Sequence, residues 1–155
     1  MRKLLSVFGT RPEAIKRRYA IKTVITFGTF DVFHVGHLKI LKRAREFGDK
    51  LIVGVSTDQL NWDKKQKKTI CDQEQRMEIV ESLKCVNECF FEESLELKRD
   101  YILKYKADTL VMGDDWVGRF DDLKDICEVV YLPRTPSIST TEIVEHILVT
   151  RAKSE

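Results

Sequence analysis

Cysteine, histidine and proline are all scarce in this chain, and net charge is nearly absent. Four cysteines, three histidines and three prolines occur among 155 residues. Lys plus Arg number 27 against 25 for Asp plus Glu, a formal charge of +2. So small an excess excludes a general field for nucleic acid or for an anionic membrane, while local basic clusters can still bind a small anion. The N-terminus lacks the long apolar stretch of a signal peptide. The expected setting is therefore the reducing cytoplasm, with Cys71, Cys85, Cys89 and Cys127 as free thiols. Cys85 and Cys89 are one helical turn apart, but no CxxC pair and no clustered histidine joins them, so they read as core or near-core thiols. Internal repeats and low-complexity tracts are absent.

Hydrophobic residues make up 43 % of the chain, enough for one domain with its own core. Apolar runs alternate with amphipathic stretches. Residues 22–27 (KTVITF) read as a buried strand. Residues 35–47 carry Leu38, Leu41, Ala44 and Phe47 at helical spacing. Residues 50–56 (KLIVGVS) form a second apolar run, as expected of a strand covered on both faces. Residues 58–70 are polar and lysine-rich, which predicts a loop. Residues 72–83 predict a helix with Asp72 as its cap. Residues 88–91 suggest a short strand and residues 95–106 a helix. Two further strands are expected at 109–112 and 129–132, and a closing helix at 139–149. Such alternation predicts an α/β fold: a Rossmann-like, five-stranded parallel sheet with helices on both faces.

Residues 1–21 stand apart. Residues 7–16 (VFGTRPEAIK) resemble the opening of UDP-N-acetylglucosamine 2-epimerases, and nothing else of such an enzyme follows. We expect an N-terminal extension over 1–21, outside a catalytic domain at 22–150.

Four stretches carry chemistry. The first, residues 28–37 (GTFDVFHVGH), follows the first core strand and opens a helix, where doubly wound sheets bind ligands. Gly28 lets backbone approach a phosphate, and the free amides of the helix start favour an anion. Asp31 is suited to orient a donor or to hold Mg²⁺. His34 and His37 are three residues apart, hence on one helical face, and two imidazoles there suit donation to phosphate oxygens as charge builds. Zinc lacks a visible third ligand. The second stretch is Lys64-Lys65-Gln66-Lys67-Lys68. A charge run is ordinarily a solvated surface, but this one leaves the same end of the sheet. The third, Gly113-Asp114-Asp115-Trp116, ends a strand; its carboxylates suit a turn cap, Mg²⁺ or polyol hydroxyls, and Trp116 suits a core anchor or a pocket wall equally. The fourth runs from Arg134 to Glu142. Ser139 and Glu142 have capping-box spacing, which explains both structurally, while the same helix start offers hydroxyls and amides to a phosphate.

The first stretch resembles the GxFDxxHxGH signature of the nucleotidyltransferases that make CDP-activated alcohols, and the likeness runs over residues 22–147. It is nearest to the bacterial glycerol-3-phosphate cytidylyltransferases. GDDW at 113–116 and ISTT at 138–141 carry that narrower resemblance. The resemblance implies a dimeric enzyme that joins CTP to glycerol 3-phosphate with Mg²⁺, releasing pyrophosphate and CDP-glycerol for a teichoic acid or capsule polymer. Ethanolamine phosphate or a sugar phosphate is the alternative acceptor. It implies catalytic roles for His34, His37, Lys65 and Arg134. It places Thr29, Phe30, Asp31, Arg76, Gly113, Thr135, Ser139 and Thr140, with His37 and Arg134, on the nucleotide. Lys65, Lys67, Lys84 and Asp115 fall on the acceptor. The metal is held by the triphosphate and not by side chains. The chain departs from the family pattern at Lys84 (Arg there), Asn87 (acidic), Leu95 (Trp) and Ser137 (Gly).

Overall fold

The computed structural model describes residues 20–136 and 138–154. The epimerase-like stretch at 7–16, nearly all of the expected extension, and Ser137 lie outside the described residues. Five strands form one parallel sheet: β1 (Thr23–Gly28), β2 (Lys50–Ser56), β3 (Glu88–Glu92), β4 (Thr109–Gly113) and β5 (Glu128–Leu132). Their order is β3-β2-β1-β4-β5. The chain thus builds outward from β1 on one side, then crosses over to begin again at β4. The carboxyl ends of β1 and β4 flank this reversal, which is where an open sheet leaves a crevice.

Strand periodicity divides the core into two layers. Val24, Leu51, Val53 and Val55 pack with Leu41 and Ala44 of α1 (Val35–Arg45) and Val80 of α3 (Gln73–Glu81). Ile25, Phe27, Ile52 and Leu110 turn to the opposite face, against Ile102 of α4 (Lys98–Lys104). Gly54 serves the second layer by having no side chain: a Cβ there would sit 2.5 Å from the Phe27 ring. Phe27 consequently lies flat enough over the strand to meet Phe90 edge-on, with centroids 5.8 Å apart.

The expected loop at 58–70 is in part a helix, α2 (Asp58–Lys65). Thr57 caps it, accepting from Leu60 N–H at 3.1 Å, and Asp58 lies in the first turn. Leu60 and Asn61 are buried, and those two inward residues per two turns are too few to give a helical period in the sequence. The helix expected at 95–106 is shorter, because its first turn is irregular and Leu97 makes no side-chain cap. The closing helix, α5 (Thr140–Ala152), starts at a Ser139 cap; Ser139 Oγ accepts from Glu142 N–H at 3.1 Å, one half of a capping box. The Asp72 cap of α3 makes both halves, with Gln75.

Gln66 ends α2 in the left-handed region at φ 51°, with its N–H on Trp62 O at 2.8 Å. Glycine is the residue that adopts this conformation without a Cβ penalty. Gln66→Gly is expected to stabilise the fold by about 0.5 kcal/mol, less than the local relief because the unfolded chain also gains freedom. A thermal melt checks this; a lower midpoint contradicts it.

Candidate active site

The four chemical stretches meet in one open cleft of about 530 Å³ at the carboxyl ends of the strands. His34 and His37 enter from the start of α1. Lys64, Lys65, Lys67 and Lys68 come from the end of α2 and beyond. Gly113, Asp115 and Trp116 follow β4, and Arg134, Thr135, Ser139 and Thr140 lie between β5 and α5.

The histidines form the cap of α1. His34 Nδ1 accepts from Gly36 N–H at 3.0 Å, and His37 Nδ1 accepts from His34 N–H at 3.3 Å. A ring nitrogen that accepts from an amide carries no proton. Each Nε2 is therefore the protonated nitrogen, and both imidazoles are neutral donors. The rings stack with centroids 3.9 Å apart. Burial pushes the His37 pKa down to about 4; nearby His34 adds to the fall and Asp31 opposes it. Burial lowers His34 as well. Gly36 is required beside them, since a Cβ would lie 2.8 Å from His34 Nδ1.

The sign of the resulting pH dependence follows. A histidine whose folded pKa lies below its unfolded value contributes stability in full above about pH 6.5, and that contribution is lost as pH falls toward 4. Chemical denaturation at pH 7.5 and 4.5 is expected to show roughly 2 kcal/mol of loss from this group, after allowance for partial exposure. In His37→Gln the loss should shrink by about that amount; an unchanged loss contradicts the assignment.

Asp31 is a clamp. Its Oδ1 accepts from Val32 N–H at 3.1 Å and Cys71 N–H at 2.9 Å, and its Oδ2 from Ile70 N–H at 2.8 Å. Its carbonyl accepts from Thr140 Oγ1 at 3.0 Å. One residue thus ties the first stretch to the segment after the lysines and to the start of α5. Three amides thus occupy most of the acceptor capacity of the carboxylate. Among the described residues no three His, Cys, Asp or Glu side chains cluster to hold a metal ion. Phe30 and Val32 flank Asp31 at φ 56° and 47°, backbone that a β-branched valine adopts only when its surroundings insist.

Two expected site residues lie elsewhere. Arg76 is 1 % exposed and is no part of the cleft wall. It donates Nε to Cys71 O (3.1 Å), Nη1 to Thr29 O (2.7 Å) and Ser56 O (2.8 Å), and Nη2 to Asp58 (2.6 Å). Its guanidinium is consumed as a brace behind the phosphate turn. Burial would raise the Asp58 carboxyl, but hydrogen bonds from Arg76, Thr69 and the Gln73 amide overcome this and hold it low. Lys84 is exposed, just before β3 at the amino end of the strands, so it faces away from the cleft. Asn87 is on the same rim, accepting from Leu51 N–H at 2.9 Å.

Lys98, Glu92 and Asn61 are cleft residues that the sequence reading did not single out. Lys98 and Glu92 form a buried ion pair, 3 % and 1 % exposed, in the floor. Lys98 Nζ also sits 4.0 Å from the Phe27 ring centroid. Burial lowers the Lys98 pKa against the opposing pull of Glu92. No signal marked Lys98, since LELKRD reads as ordinary amphipathic helix. Trp116 is a wall that also packs on Phe120, with centroids 5.4 Å apart, and Lys64 Nζ lies 6.0 Å over its ring. The four cysteines are free, and burial with Glu81 and Glu88 pushes Cys89 up to about 12.

Residues 25–146 match the family described as Cytidylyltransferase-like. The chain belongs to the cytidylyltransferase-like family. Within it, the chain is 54 % identical to a glycerol-3-phosphate cytidylyltransferase of Bacillus spizizenii, over 79 % of this chain and 95 % of that one. It is 49 % identical to a glycerol-3-phosphate cytidylyltransferase of Staphylococcus aureus, over 82 % and 96 %. A lipopolysaccharide core biosynthesis protein from Thermoplasma volcanium shares the fold, at a TM-score of 0.65 and 23 % identity over 75 % of this chain and 99 % of that one. Among the described residues no helix is long and apolar enough to cross a membrane.

Proposed function

We propose that this chain transfers the cytidylyl group of CTP to glycerol 3-phosphate, giving CDP-glycerol and pyrophosphate. The observation that carries the reading is the single cleft that gathers neutral imidazole donors, lysines, Arg134 and the Ser139 helix start. The 49–54 % identity to glycerol-3-phosphate cytidylyltransferases supports the acceptor.

In the proposed reaction a phosphate oxygen of the acceptor attacks the α-phosphorus of CTP. One P–O bond forms, the bond to the β-phosphate breaks, and pyrophosphate departs with the electron pair. The acceptor phosphate is ionised near neutrality, so the protein supplies neither nucleophile nor strong base, and its task is positioning and charge stabilisation. His34 and His37 donate from Nε2 to the α-phosphate oxygens as charge gathers there. Lys65 and Lys67 neutralise the acceptor phosphate and the triphosphate, and Asp115 takes the glycerol hydroxyls. Thr29 and Phe30 offer backbone to the nucleotide. Arg134, Thr135, Ser139 and Thr140 hold it from the other side, and Gly113 keeps the wall beneath it low. Magnesium enters with the triphosphate, as part of the substrate. A homodimer, a cytoplasmic setting and a teichoic acid or capsule polymer downstream complete the reading. The exposed Ile147, Leu148 and Val149 of α5 are compatible with such a contact, and sedimentation tests it.

A coupled pyrophosphate assay tests the function. CTP with glycerol 3-phosphate should release pyrophosphate far faster than ATP or UTP with the same acceptor, or CTP with ethanolamine phosphate or a sugar phosphate. Release with another acceptor at equal or higher kcat/KM moves the substrate assignment; no release with any phosphorylated alcohol refutes the activity.

A further inference from the structure

Asn61 is 3 % exposed, lies in the cleft wall, and carries the one buried side-chain polar atom among the described residues that has no hydrogen-bond partner, its Nδ2. Its other end is fully used. Oδ1 accepts from Thr29 Oγ1 at 3.0 Å and from Ser56 Oγ at 3.0 Å. The amide thus turns Oδ1 to the ends of β1 and β2, and its two N–H groups are without a protein partner. A buried donor without a partner costs about 1–3 kcal/mol, so one retained in a cleft wall calls for a partner that enters the cleft.

The sheet order says which ligand. Ser139 and Arg134 follow β5 at one edge, whereas Asn61 follows β2 and shares its flank with Lys64, Glu92 and Lys98 near β3. That flank carries none of the nucleotide-holding groups of the fourth stretch. Lys98 and Glu92 neutralise one another there, leaving the Asn61 amide as an uncharged directional donor beside Lys64. We propose that Asn61 Nδ2 binds an oxygen of the phosphorylated-alcohol acceptor, while Oδ1 holds Thr29, and so joins the acceptor seat to the nucleotide turn. The inference rests on the function proposed above.

Asn61→Asp tests it. An aspartate keeps an oxygen for the Thr29 and Ser56 hydroxyls and replaces the donor with a second acceptor. The expected result is at least a tenfold rise in KM for glycerol 3-phosphate, with KM for CTP within twofold of the parent. An equal rise for both substrates, a rise for CTP alone, or no change overturns the proposal. A measurement on the parent protein guards against a variant that fails to fold. The chain has two asparagines, Asn61 and Asn87, so ¹⁵N-asparagine labelling gives two side-chain amide pairs. Asn87 lies on the opposite rim and serves as the control. The Asn61 pair should shift clearly further with CDP-glycerol than with CTP, which reaches it only through Thr29. A shift with CTP as large as that with CDP-glycerol, or no shift with CDP-glycerol, refutes the assignment. Pyrophosphate release by the parent protein separates these outcomes from failure of the activity itself.

Discussion

His37→Ala is expected to lower kcat by a factor on the order of a hundred to a thousand, the usual consequence of deleting one donor aimed at developing charge. Two losses combine. The first is the Nε2 donor at the α-phosphate. The second is the acceptor for His34 N–H at 3.3 Å, which helps fix the start of α1 and the neighbouring ring. KM for CTP should move less than kcat, because the donor acts mainly where charge is greatest. Both histidines sit below their ordinary pKa, His37 at about 4. The parent enzyme should therefore show no histidine limb in kcat between about pH 6.5 and 8. An acidic limb near pH 6.5 that vanishes in His37→Ala would mean that a charged imidazole does the work. A drop in kcat under tenfold would remove His37 from the transition state.

Arg76→Ala is expected to cost about 3–5 kcal/mol of stability, the range for breaking a buried charge network from one side. The substitution strands three backbone carbonyls and the Asp58 carboxylate, and leaves a cavity where a 1 % exposed side chain stood. For a domain of this size the midpoint should fall by roughly 10 °C or more. Arg76→Lys should recover little, since an ammonium cannot reach in three fixed directions at once. Activity per folded molecule should fall as well, because Thr29 O loses its anchor. A variant that keeps its midpoint but loses CTP affinity would instead put the guanidinium on the nucleotide.

The sheet was legible because its strands are continuous apolar runs, and alternation of Val24 with Ile25 and of Leu51 with Ile52 feeds two layers. The histidine turn, the lysines and the Ser139 start were legible because functional residue types cluster in short stretches beside strand ends. Helix α2 was not, since only Leu60 and Asn61 turn inward. Arg76 misled for a related reason: sequence tells that a cation follows the lysine run, but not that four acceptors surround it. Lys84 depends on which end of β3 it precedes, information that exists only once the strands are laid in order. Lys98 and Glu92 are six residues apart across an irregular turn, so no helical spacing pairs them. Asp31 offered a carboxylate for metal, and only the folded segment at 70–71 shows that amides take both oxygens.

The entrance imidazoles carry no charge near neutrality, so the grip on a polyanion falls to Lys65, Lys67, Lys68 and Arg134, all exposed at the rim. Charges in that position are weakened by dissolved ions in a way that buried ones are not. Once the nucleotide is cut, the departing anion is held by groups that surrounding salt competes for, and the buried Lys98 in the cleft floor is already paired with Glu92. Release of the leaving fragment is thereby eased by the same arrangement that reserves the strongest directional contacts for the instant of bond exchange.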